Sequence, residues 1–203
     1  MTVNGIYKLM ILVDKGVQVL AFNTADVGWT TLPTEGVYVI DFSGVDWFLK
    51  SMAGEFLLPT VSFSGTFVGQ PTAETTVANL CKDDGYNIVF AAPVTDPQVS
   101  ILGIWGNLAD FALVEDIVAN SYNDLVSQGM VNAELTLLDS KDRVIADYDP
   151  KGQGWSNYKR NFDVIGKLNL AEKMLPQPLR RSWAGSVPWI VGTRTKALCR
   201  RQV

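Results

Sequence analysis

The ten residues Leu12–Ala21, "LVDKGVQVLA", return 125 positions later as "LLDSKDRVIA", Leu137–Ala146. Each copy is an apolar run closed by Asp, a short polar turn and a second apolar run ending in Ala. They align without a gap, Asp14 on Asp139, Val19 on Val144, Leu20 on Ile145 and Ala21 on Ala146. A chain of 203 residues that writes one hairpin twice, so far apart, reads as two modules of similar design. Charge divides along the same line. Residues 1–140 hold 4 Lys/Arg against 16 Asp/Glu and residues 141–203 hold 13 against 5, so the net charge of −4 is the sum of −12 and +8. Parts of opposite charge meet different surroundings.

Within the first module, Lys8–Val13 and Val17–Asn23 are β-rich runs around the turn Asp14-Lys15-Gly16, and Thr24–Gly36 has the composition of a loop. Ser43 stands where it would cap a short helix carrying Trp47, Phe48 and Met52 at helical spacing, with Gly54 to end it. Leu57–Cys81, rich in Thr, Ser, Gly and Val, reads as strand and loop. Tyr86–Val94 and Ser100–Leu108 form the strongest strand pair, with Pro93 marking an edge or a bulge. A long helix follows, capped by Asp110 and stopped by Gly129. Its predicted apolar stripe is Phe111, Val114, Val118 and Leu125 with Leu113, Ile117 and Tyr122. The second module holds the hairpin "NAELTLLDSKDRVIADYD", a Gly-rich loop "PKGQGWSNYKRNF", a helical run "LNLAEKML" and a strand in "VPWIVGTRT". This order predicts an α+β chain of two PAS-like modules, each an antiparallel sheet with flanking helices, the second incomplete. The expected boundaries are residues 1–109, a linking helix over 110–128, and 129–203.

Composition narrows the chemistry. At 47% hydrophobic and 10% aromatic, the chain can bury a sizeable core. With no histidine it lacks the commonest general base and the Ser/His and Cys/His nucleophile pairs, so catalysis is not expected unless carboxylates or lysine carry it. Nor does any run of 18 uninterrupted apolar residues, or a signal-peptide pattern at the start, appear in the sequence. Cys81 and Cys199 have neither CxxC spacing nor histidine partners for a metal. "DYDPKGQG" matches the opening of a calcium loop at Asp147, Asp149 and Gly152, but Lys151 and Tyr158 occupy ligand positions, and a turn is the better reading. No metal or cofactor is expected.

Four segments together resemble a known family: "LMILVDKGVQVLAFN", "GVDWF", "IVFAAPVTDPQVSILGIWGNLADFALVEDIV" and "AELTLLDSKDRVIADYDPKGQGW". They are similar in order and spacing to the double Cache ectodomains of bacterial methyl-accepting chemotaxis proteins, which also serve sensor kinases and cyclases. The resemblance runs from about Tyr7 to Arg194. It implies a membrane-distal module that binds a small molecule, a linking helix and a membrane-proximal module, in a homodimeric receptor anchored in the inner membrane with no nucleic-acid partner. The long N-terminal helix, the membrane spans and the cytoplasmic signalling region of that family are missing, so the expectation is an ectodomain fragment from the periplasmic or extracellular face. Carried over by position, the resemblance assigns ligand binding to Trp47, Phe48, Trp105, Asn107 and, as cap or contact, Asp110. Where the amino-acid-binding members carry an Arg two positions before this Trp, Val45 stands here. The distal module is acidic, with Lys8, Lys15, Lys50 and Lys82 against ten acidic residues in 1–109. A small neutral or cationic ligand is therefore expected rather than an organic acid. The basic second module is expected to lie nearer an anionic lipid surface. A non-binding structural or dimerisation module is the competing reading.

Overall fold

The computed structural model of the chain describes residues 6–25, 31–56, 65–131, 133–148, 158–170 and 191–195. They fall into two compact units, Met1–Phe111 and Ala112–Val203. The fold is α+β, an antiparallel sheet with flanking helices in a PAS-like arrangement.

The first unit runs β1 (Tyr7–Asp14), β2 (Val19–Phe22), α1 (Thr34–Val37), α2 (Asp46–Met52), β3 (Phe67–Val68), β4 (Thr72–Ala73), α3 (Thr75–Cys81), β5 (Tyr86–Thr95) and β6 (Ile101–Asp110). In space the strands are ordered β2-β1-β6-β5-β3, with β4 pairing farther along β5. The first and last hairpins are thus joined through β1 and β6, with Ile11 opposite Gly106 and Leu12 opposite Trp105. Alternation along the strands turns Ile11, Val13, Val89, Ala91, Ile104 and Leu108 to one face, where they are buried together with residues of α2 and α3.

All three hairpins close with the same turn. Asp14 N–H donates to the Gln18 carbonyl at 2.9 Å, Val17 N–H to the Asp14 carbonyl at 3.0 Å, and Gln18 N–H to Asp14 Oδ1 at 2.8 Å. The same three bonds recur around Asp96 (3.0, 3.0 and 2.8 Å) and around Asp139 (2.9, 3.0 and 2.9 Å). The fourth residue of each turn is left-handed: Val17 at φ 69°, Val99 at φ 67° and Asp142 at φ 60°. A short acidic side chain that accepts from a nearby N–H supplies this geometry at each of the three turns. Pro93 lies beyond the stretch of β5 that β3 covers, and the irregularity in that hairpin falls next to it, between Val94 and Thr95.

The second unit contains α4 (Ala112–Ser127), β7 (Ala133–Leu138), β8 (Val144–Tyr148) and β9 (Val191–Thr195). Its three strands form a separate sheet ordered β8-β7-β9. The duplication extends past the hairpin. Both copies shift register at the same place, between Leu12 and Val13 and between Leu137 and Leu138. Thr136, the counterpart of Ile11, lies opposite Gly192, as Ile11 lies opposite Gly106. From Ile11 to Gly106 is 95 positions and from Thr136 to Gly192 only 56, so the second copy reaches its third strand by a much shorter route.

Both predicted glycine stops are found. Gly54 (φ 77°) and Gly129 (φ 90°) end α2 and α4. In each, the glycine N–H and the next N–H turn back to carbonyls of the last turn: Ser51 and Lys50 in α2, Val126 and Leu125 in α4.

Other expectations need correcting. The helix at Trp47 starts at Asp46 after an extended Val45; Ser43 sits upstream, its N–H bonded to Asp41 Oδ1 at 2.8 Å. The segment read as strand and loop before Cys81 contains α3, whose Val77 and Leu80 are buried at helical spacing. In α4 the buried face carries Glu115 and Tyr122, while Leu113 and Ile117, expected inside, are 47% and 59% exposed. Glu115 turns inward because Arg160 meets it there. Most of the helix expected in "LNLAEKML" lies outside the described residues, as do Asp149 and Gly152 of the tested calcium loop. Tyr158 of that loop stacks on Tyr148 at 5.3 Å between ring centroids, and Tyr148 packs on Tyr122.

Candidate functional site

Helix α2 lies across β5, β6 and β3 on the core face of the first sheet. Its sequence, DWFLKSM, places Trp47, Phe48 and Ser51 on the buried side and leaves Asp46 and Lys50 outside, where they pair at 2.9 Å. Trp47 is wedged at the centre. The far rim of its six-membered ring rests on Gly106, where a Cβ would come within 2.9 Å of Cη2. Phe42 tilts against the indole at 5.6 Å between centroids and Phe48 stands edge-on at 6.1 Å. Glycine at 106 is the condition for seating a tryptophan this close to the strand.

Among the described residues, two polar atoms on this face have no hydrogen-bond partner: Trp47 Nε1 and Ser51 Oγ. Both side chains are buried, and they stand one helical turn apart on the same side of α2. A buried donor or hydroxyl left unpaired destabilises by about 1–3 kcal/mol. Native proteins leave few such groups, and here two stand one turn apart on one helix face. Asn87 Oδ1 is a third unpaired atom, but Asn87 is bound through Nδ2 to the Gly85 carbonyl at 2.7 Å. It lies four residues along β5 from Ala91, the residue opposite Gly106, about 13 Å away at strand rise.

The five residues expected to form a site do not converge. Trp47 and Phe48 are together under α2. Trp105 and Asn107 flank Gly106 in sequence, and the strand's alternation sends them to the opposite face of the sheet. There Trp105, 36% exposed, donates its indole N–H to Asn107 Oδ1 at 2.8 Å. A strand's period of two puts those two on one face, but it is not the face that α2 covers.

Asp110 ends β6, away from both pairs. Its Oδ1 is 3.3 Å from Lys8 Nζ, which also meets Asp83 Oδ2 at 2.7 Å. Burial alone would pull the Lys8 ammonium down, but its bonds and attraction to the two carboxylates more than offset this and hold it above the usual lysine range. The irregularity of β1 between Tyr7 and Leu9 lets Lys8 and Leu9 both point inward.

Ser51 was not anticipated. Its only signal in the sequence is its place four residues after Trp47, which puts it on the same helix face. A second feature that was missed lies in the other unit. Arg160 Nε and Nη2 donate to the two oxygens of Glu115 at 2.8 Å each, a side-on fork with Glu115 buried and Arg160 largely so. Near it, burial first and the Glu115 carboxylate second push the Tyr158 phenol well above its usual range.

Among the described residues no group of three His, Cys, Asp or Glu side chains could hold a metal ion, and no helix is long and apolar enough to cross a membrane.

No family model matches the chain, and no curated protein matches it. Among solved structures, the chain is similar to one titled "Extracellular ligand binding receptor from Desulfohalobium retbaense DSM5692", at 15% identity and a TM-score of 0.52. The likeness covers 84% of this chain and 24% of that one, so this chain spans about a quarter of its length. At that identity the likeness is one of fold.

Proposed function

We propose that this chain is ligand-sensing ectodomain from a bacterial transmembrane chemoreceptor, non-enzymatic, which takes a small neutral or cationic molecule in its first unit. The intact receptor would be a membrane-anchored homodimer, with this region on the periplasmic or extracellular side. The observation that carries the reading is the pair of buried, unpartnered atoms Trp47 Nε1 and Ser51 Oγ beneath α2. The fold likeness to a structure titled as an extracellular ligand binding receptor supports it. A sensor kinase or cyclase could carry the same ectodomain.

A structural spacer is the competing reading. It draws on the close packing of Trp47 against Gly106, Phe42 and Phe48.

A thermal-shift screen of small metabolites on the whole chain separates the two, because a ligand held only by the native state raises the melting temperature, by about 2.7 kcal/mol of stability at a hundredfold excess over Kd. The sensor reading expects at least one metabolite to stabilise the protein and Trp47→Phe or Ser51→Ala to weaken the effect. A screen without a stabilising compound supports the spacer. Stabilisation untouched by either substitution removes the site.

A further inference from the structure

From the charges around α2 we infer that the molecule held at Trp47 and Ser51 is uncharged and presents an acceptor oxygen, as an amide, ester or alcohol does. This rests on the reading of that site as a ligand site.

The donor set comes first. An indole N–H only donates, and a serine hydroxyl donates or accepts. Together they fit one carbonyl or hydroxyl oxygen, with the aromatic rings of Phe42, Trp47 and Phe48 offering an apolar wall. The indole of Trp47 already packs against the tilted ring of Phe42 and the perpendicular ring of Phe48, which leaves less of it for a cation to stack on.

Charge excludes the alternatives. The first unit contains four basic side chains. Lys15 and Lys82 are exposed, one in the first hairpin turn and one after α3. Lys50 pairs with Asp46 on the outer side of α2, and Lys8 pairs with Asp83 and Asp110. None is left to neutralise a bound carboxylate or phosphate beneath α2. The segments of this unit beyond the described residues, 1–5, 26–30 and 57–64, add no Lys or Arg and one acidic residue, Asp26.

For a bound cation the counter-charge is missing in the same way. Glu35, Asp41, Asp46 and Glu55, the acidic residues nearest α2 in sequence, are all exposed. Of the partly buried carboxylates of this unit, Asp14 closes the first hairpin turn, Asp110 meets Lys8, and Glu74 follows Ala73, whose partner Tyr86 is five residues along β5 from Ala91. At strand rise this is about 17 Å from the strand position beneath Trp47. A charged ligand would enter an apolar, neutral surrounding without a partner.

The test uses the whole chain labelled with 15N in tryptophan. Of its six indole N–H resonances, that of Trp47 is identified by its loss in Trp47→Phe. Two matched triplets are titrated: propionamide, propionate and propylamine, then benzamide, benzoate and benzylamine. The expected result is that an amide moves the Trp47 resonance and binds at least about tenfold more tightly than its own acid and amine, and that Ser51→Ala removes most of the difference. An acid or amine that moves this resonance at the same concentration as its amide overturns the inference. So does a resonance that no compound moves, which would leave a buried water only. A charged metabolite that stabilises the protein without touching the Trp47 resonance overturns the inference but leaves the sensor reading intact.

Discussion

Replacing Glu115 by Ala removes the carboxylate that forks with the Arg160 guanidinium in the second unit. Arg160 is 13% exposed and Glu115 8%, so water reaches neither well. Removing one member of a buried pair typically destabilises by about 3–5 kcal/mol, most of it the desolvated charge left behind. Arg160→Met should show a similar loss for the same reason. Changing both, Glu115→Ala with Arg160→Met, removes both charges and should destabilise less than either single change. The coupling between the two sites is then at least about 2 kcal/mol, since the two hydrogen bonds at 2.8 Å are charge-assisted. Hydrogen exchange on the whole chain locates the effect. Amides of β7 and β8 should exchange about 100-fold faster or more in Glu115→Ala, because 1.4 kcal/mol is tenfold, while those of β1 and β6 stay close to their original rates. Single effects under about 1 kcal/mol, or strictly additive ones, would refute the reading that the two charges are desolvated and depend on each other.

The remaining predictions use other parts of the fold. Val17→Gly and Val99→Gly relieve a β-branched residue from a left-handed conformation and should each stabilise by about 1 kcal/mol in urea unfolding. Gly106→Val drives atoms into the Trp47 ring and should destabilise by about 1–3 kcal/mol while broadening or moving the Trp47 indole resonance. Lys8 is held protonated above the ordinary lysine range, so its contribution is complete below about pH 10.4 and fades as pH rises through its folded value. From neutral pH upward, the stability gap between the native protein and Lys8→Met should therefore narrow only above that pH, and a gap that narrows near neutrality contradicts it. Burial raises the Glu74 carboxyl, so its ionisation opposes folding above about pH 4.3; Glu74→Gln should be the more stable protein at pH 7 and lose that advantage near pH 4.

What the sequence determined by itself is the local structure, where each signal acts over a few residues. An Asp at a strand end accepts from the N–H four positions on, and this fixed the turns at Asp14, Asp96 and Asp139. Gly54 and Gly129 stop their helices because a left-handed residue lets the chain turn back on carbonyls a few residues away. The repeated Asp turn pointed to two similar hairpins, although the same turn at Asp96 shows that it marks hairpins in general. Helical spacing put Trp47 and Phe48 on one buried face, which is the half of the candidate site that was legible.

What only the tertiary structure decided depends on partners distant in the chain. A period of two says that Trp105 and Asn107 share a face; it does not say which face the helix covers, and Gly106 between them is the residue that admits Trp47. Ser51 becomes notable only once its surroundings prove apolar and its hydroxyl unpaired. Nothing in the sequence singles out Glu115, because its partner, Arg160, is 45 positions away and nothing local distinguishes a charge that will be met from one that will not. The second copy of the fold is set the same way: the hairpin is written in the sequence, but the register that puts Gly192 opposite Thr136 comes from pairing across more than fifty residues, which no local pattern encodes.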